Sequence, residues 1–443
     1  MNIRADDFNF NYIWEDPGGV TTPELAATWA RVGMVCGGKV ITSVHSPRLQ
    51  SFRGDIYIPL YVMAEWFAKN WWFIQNECAD SDRIASPEFQ QRHNLAYSYE
   101  GLCLPDISFI QNGDEILVYW QEADYSAAGL AFQTSGNFLI DKDIFSNRVT
   151  QLIEDVINRL HQRGIHSSFL EEEWAHIRQI EKSAFEEKAF CEVSSRLGLD
   201  PFSIDEELSE RIIACYEEIE PEIRDEFFFS SSNENFEPNI RWLNNARDKI
   251  KNECCVLFEI KSCPKAVNNP DQEKQPWLIG YKWAQEYRKI LKNTDDFIDY
   301  KDFVSISNQS IAGLQFDETS LEAMISRKSG EHFSLVVNRE NLDLENENSR
   351  FLFARILCEA IALSKKKAGI LSKVETRLQK TSRAFAAEFL APAQTIAKMV
   401  SGTVNRQKIQ YLKEHFKVSD LVIRHQIVNH NLATIIEPEY LQY

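Results

Sequence analysis

Several stretches bring together residue types that could do chemistry. Gly33-x-x-x-x-Gly38-Lys39 nearly spells a phosphate loop, in which backbone amides and the Lys would cradle phosphates. The next residue is Val40, where Ser or Thr should hold magnesium, and the expected order is reversed. TPELAATWARVG reads as a helix and KVITSV as a strand, whereas the motif needs the strand first. Asp106 and Glu115 are carboxylates that could share a magnesium ion for phosphodiester cleavage, but Leu117 stands where that chemistry wants Lys. They read instead as a strand-start acid and a turn residue. The nine histidines form no HExxH. His161 with His166, and His425 with His430, are five apart and fall off a common helix face. Glu173 and His176 are three apart and read as a solvated polar face. Nine cysteines contain no CxxC, and the nearest cluster, Cys254, Cys255 and Cys263, has neither zinc-ribbon nor disulfide-framework spacing. Buried thiols of a cytoplasmic protein are the expectation.

The elements that must position such residues belong to a chain of 443 residues, long enough for two to four domains. A hydrophobic fraction of 44% supports a sizeable core, and 66 acidic against 48 basic residues give a net charge of −18. That balance argues against a general nucleic-acid coat or a binder of anionic membranes. Nothing approaches a membrane-spanning apolar run. The start, MNIRADDFNFNYIWEDPGG, is acidic and broken by Pro and Gly, unlike a targeting peptide.

Composition divides the chain into three regions of an α+β, multidomain fold. Residues 1–165 read as an α+β domain of unknown type. In it, an aromatic-rich helix runs from Pro59 to near Glu77, with hairpins at ISFI/EILVYW and AGLAFQ/NFLI and a closing helix at NRVTQLIEDVINRLHQR. In the first helix Phe67, Trp71 and Ile74 share a stripe, leaving Trp66 or Trp72 to cover a neighbouring domain or a partner. Residues 166–295 are a mainly helical connecting region, with SSSNENFEPN and CPKAVNNPDQEKQP as exposed loops. Residues 296–443 open with a third hairpin, EAMISRK/FSLVVNR, and continue as helices RFLFARILCEAIALSKKK and QKTSRAFAAEFLAP, the latter stopped by Pro392.

RFLFARILCEAIAL, and RAFAAEFLAP about thirty residues on, resemble the ImmA/IrrE family of zinc metallopeptidases over about residues 296–435. AFCEVSSRLGLDPF and GYKWAQEYRKIL also look like segments of long members. The resemblance implies a zincin-like fold whose helix would carry two His ligands around a Glu general base. Matched residue by residue, the first ligand falls on Arg355, the base on Ile356, the second ligand on Glu359 and the third near Thr381. A guanidinium offers only donors, and Ile356 cannot accept a proton. The resemblance therefore implies a degenerate domain that has lost both metal and base, with no cofactor; Glu375 could add at most one further ligand. Arg355 and Glu359, at i and i+4, can pair on the former ligand face, with Glu388 as a further partner. Alternatively, Arg355 and Arg383 could hold an anion.

The tail KIQYLKEHFKVSDLVIRHQIVNHNLA has helix-turn-helix shape, with Ser419 as N-cap. Its second helix would offer Arg424, Gln426 and Asn429 to nucleic acid. The stretch from Lys365 through Lys366, Lys367, Lys373, Arg377 and Lys380 to Arg383 is the most basic of the chain. The functional expectation is a cytoplasmic, catalytically inactive, peptidase-like regulator that binds a protein partner, as in bacterial toxin–antitoxin or phage-defence modules. The alternatives are a DNA-binding regulator that uses the C-terminal helices and a metal-dependent hydrolase with a non-standard site.

Overall fold

A computed structural model describes residues 8–17, 19–20, 22–46, 50–78, 84–182, 185–252, 256–260, 275–293, 297–302, 304–306, 311–330, 332–363, 366–374 and 376–436. Cys254, Cys255, Cys263, Lys365, Glu375 and all of the loop CPKAVNNPDQEKQP before its last two residues lie outside them. The chain is α+β and divides into two compact units, 1–214 and 215–443. The boundary falls inside the region that composition marks as a single connecting segment. Leu170, Trp174, Ile177, Ile180 and Cys191 of that region belong to the first unit's core, because their apolar faces are buried there.

In the first unit, Phe8–Trp14, Trp29–Cys36 and Lys39–Val40 form an antiparallel sheet, with Ile56–Pro59 also on Trp29–Cys36. Only Pro23–Ala27 of the expected first helix is helical; the alternation in WARVGMVC makes the remainder a strand. Gly37 and Gly38 are thus the turn of a hairpin, not a phosphate cradle. The Asp106–Asn112 and Glu115–Gln121 hairpin forms as read, closed by Gly113-Asp114. Asp106 pairs with Gln121 and Glu115 with Asn112, so the two carboxylates sit at opposite ends of the ladder. The AGLAFQ/NFLI hairpin does not form. Leu130–Phe132 pairs with Ala123–Tyr125 and Val44–Ser46, while Gly136–Asp141 pairs with Glu115–Gln121 in another sheet.

The aromatic helix breaks at Asn70 into Leu60–Lys69 and Trp71–Asn76. Trp66, Trp71 and Trp72 are all buried within this unit, with Trp71 edge-on to Trp174 at 5.0 Å, so none is left for an outside surface. Helix Lys142–Gln162 closes against the core through Phe145, Val149, Leu152, Val156 and Leu160, its N-terminus capped by Asp141.

The second unit is built on a five-stranded antiparallel sheet. Its order is Val304–Ile306, Val256–Ile260, His332–Val337, Leu321–Ser329, Ala368–Ser372. The third expected hairpin supplies its middle, in register from Ala323 opposite Val337. Helix Glu347–Ala362 is buried at all but one position from Ser349 to Ile361, as an all-round apolar sequence requires. Helices Pro276–Ile290 and Arg377–Leu390 run close together at Gly280. A Cβ there would lie 2.3 Å from the Thr381 carbonyl, so only glycine permits the approach. SSSNENFEPN is not an exposed loop: Ser230, Ser231 and Asn239 are fully buried. The Asn239 amide donates to Ser231 Oγ at 2.9 Å and accepts from Thr319 Oγ1 at 2.5 Å, which satisfies these polar groups without water.

Candidate functional site

The buried helix sets Arg355 where four elements meet. Its Nη2 donates to the Ser372 carbonyl at 2.8 Å and to Gln379 Oε1 at 2.6 Å, and its Nε reaches Ser382 Oγ at 3.3 Å. Nη1 is bound to the Glu322 carboxylate from the adjacent strand. The residue is 4% exposed. Gln379 passes the chain on: its Nε2 donates to Glu226 at 2.7 Å, which also accepts from Thr376 Oγ1 at 2.8 Å. Burial raises the Glu226 carboxyl above its ordinary range, against the pull of these two donors.

Glu359 is not the partner of Arg355. Its carboxylate is turned to the strand Ala368–Ser372, where a Cβ on Gly369 would lie 2.3 Å from Oε1. Its Oε2 is buried with no hydrogen-bond partner. Burial, reinforced by the Glu226 carboxylate and opposed by Lys366, pushes its pKa up to about 8. Ile356 is fully buried among apolar side chains. Thr381 donates to the carbonyls of Pro276 and Arg377 at about 3 Å, on the far side of its helix from Arg355. Glu388 likewise serves elsewhere, accepting from Gln285, from Gln426 and from the Ala393 amide at 2.9, 2.8 and 3.1 Å. The residues facing Arg355 from the helix Arg377–Leu390 are Gln379 and Ser382.

This centre does not suit a metal. The inward position holds a guanidinium whose nitrogens donate to fixed acceptors, and the carboxylate one turn on is aimed away. Among the described residues, no group of three or more His, Cys, Asp or Glu is placed to hold an ion.

Above Arg355 opens a cleft of about 950 Å³, walled by four helices. Arg339, Lys380, Arg383 and His425 line it, and Glu322 is the one carboxylate among its described lining residues. Trp277, Leu278, Phe351 and Leu421 supply apolar wall. The C-terminal pair forms as expected, Arg406–Phe416 and Asp420–Asn429, with Ser419 Oγ accepting from the Val422 amide. It does not present the expected trio. Gln426 is buried and donates to Glu388 and to the Ala391 carbonyl, both at 2.8 Å. Arg424 is paired with Asp420 at 2.5 Å. Asn429 instead lines the cleft with His425 and His430.

In the first unit, Glu77, Arg92 and His93 form a buried cluster that sequence reasoning missed. Glu77 accepts from Arg92 Nε at 2.8 Å and lies 3.0 Å from His93 Nε2, and His93 Nδ1 lies 2.8 Å from the Phe109 carbonyl. Although burial works against it, these partners hold the Glu77 carboxyl below its usual range. The cluster ties helix to strand.

No family model, curated protein or solved structure matches this chain.

Proposed function

We propose that residues 215–443 act as a peptidase-like unit that binds a protein partner without cutting it, in the cytoplasm. One observation carries the reading: a buried guanidinium that makes four hydrogen bonds sits at the position where the resemblance to ImmA/IrrE peptidases puts a zinc ligand. Ile356, in the position that the resemblance gives to the base, cannot accept a proton from water. The cleft beside it stays open, which supports retained recognition. The family setting, a toxin–antitoxin or phage-defence module, fits such a regulator by analogy of fold. The test is incubation of the purified full chain with unfolded protein and peptide substrates, with and without added zinc, read by mass spectrometry. Intact substrates agree with the reading, and metal-dependent cleavage overturns it.

A further inference from the structure

We propose that the end of the cleft at Gln426 and Tyr281 holds the side-chain carboxamide of an Asn or Gln carried on a peptide segment of the partner. This rests on the non-catalytic reading and names the chemistry by which the partner is held.

An unmatched acceptor is the first argument. Gln426 is 1% exposed and lines the cleft. Both hydrogens of its amide nitrogen are used, on Glu388 and on the Ala391 carbonyl at 2.8 Å each. These two acceptors fix the orientation of the group, because a turned-over amide would set its oxygen against a carboxylate. Neither Glu388 nor Ala391 is among the lining residues, so the oxygen is the atom that Gln426 has left for the cleft. That Oε1 is buried and accepts no hydrogen bond. A ligand that brings a donor recovers the cost of leaving it unmatched.

The neighbours of Gln426 narrow the choice of donor. Tyr281 and His430 line the same end, their rings 4.6 Å apart. His430 Nε2 is buried without a hydrogen-bond partner and lies 3.9 Å from Glu388 Oε2, which favours the tautomer with the proton on that nitrogen. The Tyr281 oxygen takes a hydrogen bond from the Asn429 side chain, which leaves its own O–H to give. The cleft end thus offers one acceptor and two donors. An amide answers all three: its N–H donates to Gln426, and its carbonyl accepts from Tyr281 and His430. An ammonium has nothing for the two donors, and a carboxylate has nothing for Gln426. Leu278, one turn before Tyr281, is 40% exposed and Leu421 is 60% exposed, beside Trp277 and Phe351. A peptide that carries the amide covers this wall with apolar neighbours, which a free small amide leaves in water.

Selection of a random-peptide phage library on the immobilised full chain, followed by synthetic copies of the winners, tests this. Winners should share an Asn or Gln beside a large apolar residue. Copies with Asp, Lys, Ser or Ala in its place should bind about tenfold more weakly. Tyr281→Phe keeps the ring and removes the hydroxyl. It should weaken the amide peptide about tenfold and leave the Ala copy unchanged, a difference that a disturbed fold would not produce. Gln426→Ala should likewise erase the preference for the amide peptide over its Ala copy, and Lys39→Glu on the first unit should preserve it. No enrichment, winners without Asn or Gln, copies indifferent to loss of the amide, or a preference that survives Tyr281→Phe or Gln426→Ala overturns the proposal. So does a labelled single-stranded DNA that binds and is lost in Tyr281→Phe. Mass spectrometry of the bound peptide separates the two readings: an amide peptide bound and then cut overturns the non-catalytic reading alone.

Discussion

Arg355 on the buried helix is bound to Glu322 on the neighbouring strand, with side chains only 5% and 17% exposed. An ion pair so placed is costly to break, because the surviving charge is left largely desolvated without its partner. Arg355→Ala should therefore destabilise the second unit by about 3–5 kcal/mol, against about 0–1 for an exposed pair. Arg355→Met combined with Glu322→Leu should recover much of the loss, since apolar replacement of a buried pair is often neutral. Urea denaturation of the wild type, both single variants and the double variant closes the cycle. A change below about 1 kcal/mol for Arg355→Ala would place the pair among ornamental surface contacts.

Glu359 makes stability fall as pH rises. Its folded pKa lies near 8 against an ordinary 4.5, so between those values the folded chain keeps a proton that the unfolded chain has released. The penalty is absent below the lower value and complete above the upper one. Glu359→Gln should gain about 4–5 kcal/mol above pH 8 and little at pH 4.5, flattening the stability profile. Thermal melts across that range read it. A variant profile parallel to the wild type would show that Glu359 titrates normally.

Gly369 and Glu359 should be coupled. Gly369→Ala drives a methyl into the Glu359 carboxyl, so it should cost about 1–3 kcal/mol. In the background of Glu359→Ala the same substitution should be nearly neutral, because the clash has been removed. Equal costs in both backgrounds would place the steric conflict elsewhere.

The sequence drew attention to Arg355 but not to its partners, and the misreadings share a cause. The run RFLFARILCEAIAL reads as a helix, and its resemblance to the peptidase helix makes Arg355 conspicuous. The i,i+4 rule then paired it with Glu359, but that rule describes helix surfaces, where side chains lie along the helix. In a buried helix the guanidinium goes to whichever neighbouring element offers acceptors, here a strand and a second helix. Glu322 is 33 residues away in sequence and reaches Arg355 only through strand register, which no local spacing encodes. Thr381 was misplaced because its hydroxyl satisfies carbonyls along its own helix and the next; Gln379 and Ser382, three apart, form the facing pair. The C-terminal helical pair was found by its N-cap and apolar spacing, yet those signals are silent on which face is buried. Gln426 accordingly turned inward to Glu388.

That inward turn gives a further contrast. Gln426→Ala removes a buried donor from Glu388 and should cost about 1–3 kcal/mol. Arg424→Ala breaks a partly exposed i,i+4 pair and should cost under about 0.5 kcal/mol. Chemical denaturation of the two variants side by side decides it, and the reverse order would place Gln426 outside the core.

The central claim is that a cation has taken the place of a catalytic metal, and the metal content of the native chain tests it most directly. Full-length protein expressed with added zinc and purified without chelator should contain far less than about one zinc per chain, and chelator should not shift its melting temperature. About one tightly held zinc per chain, released together with structure or with a peptidase activity, would contradict the account.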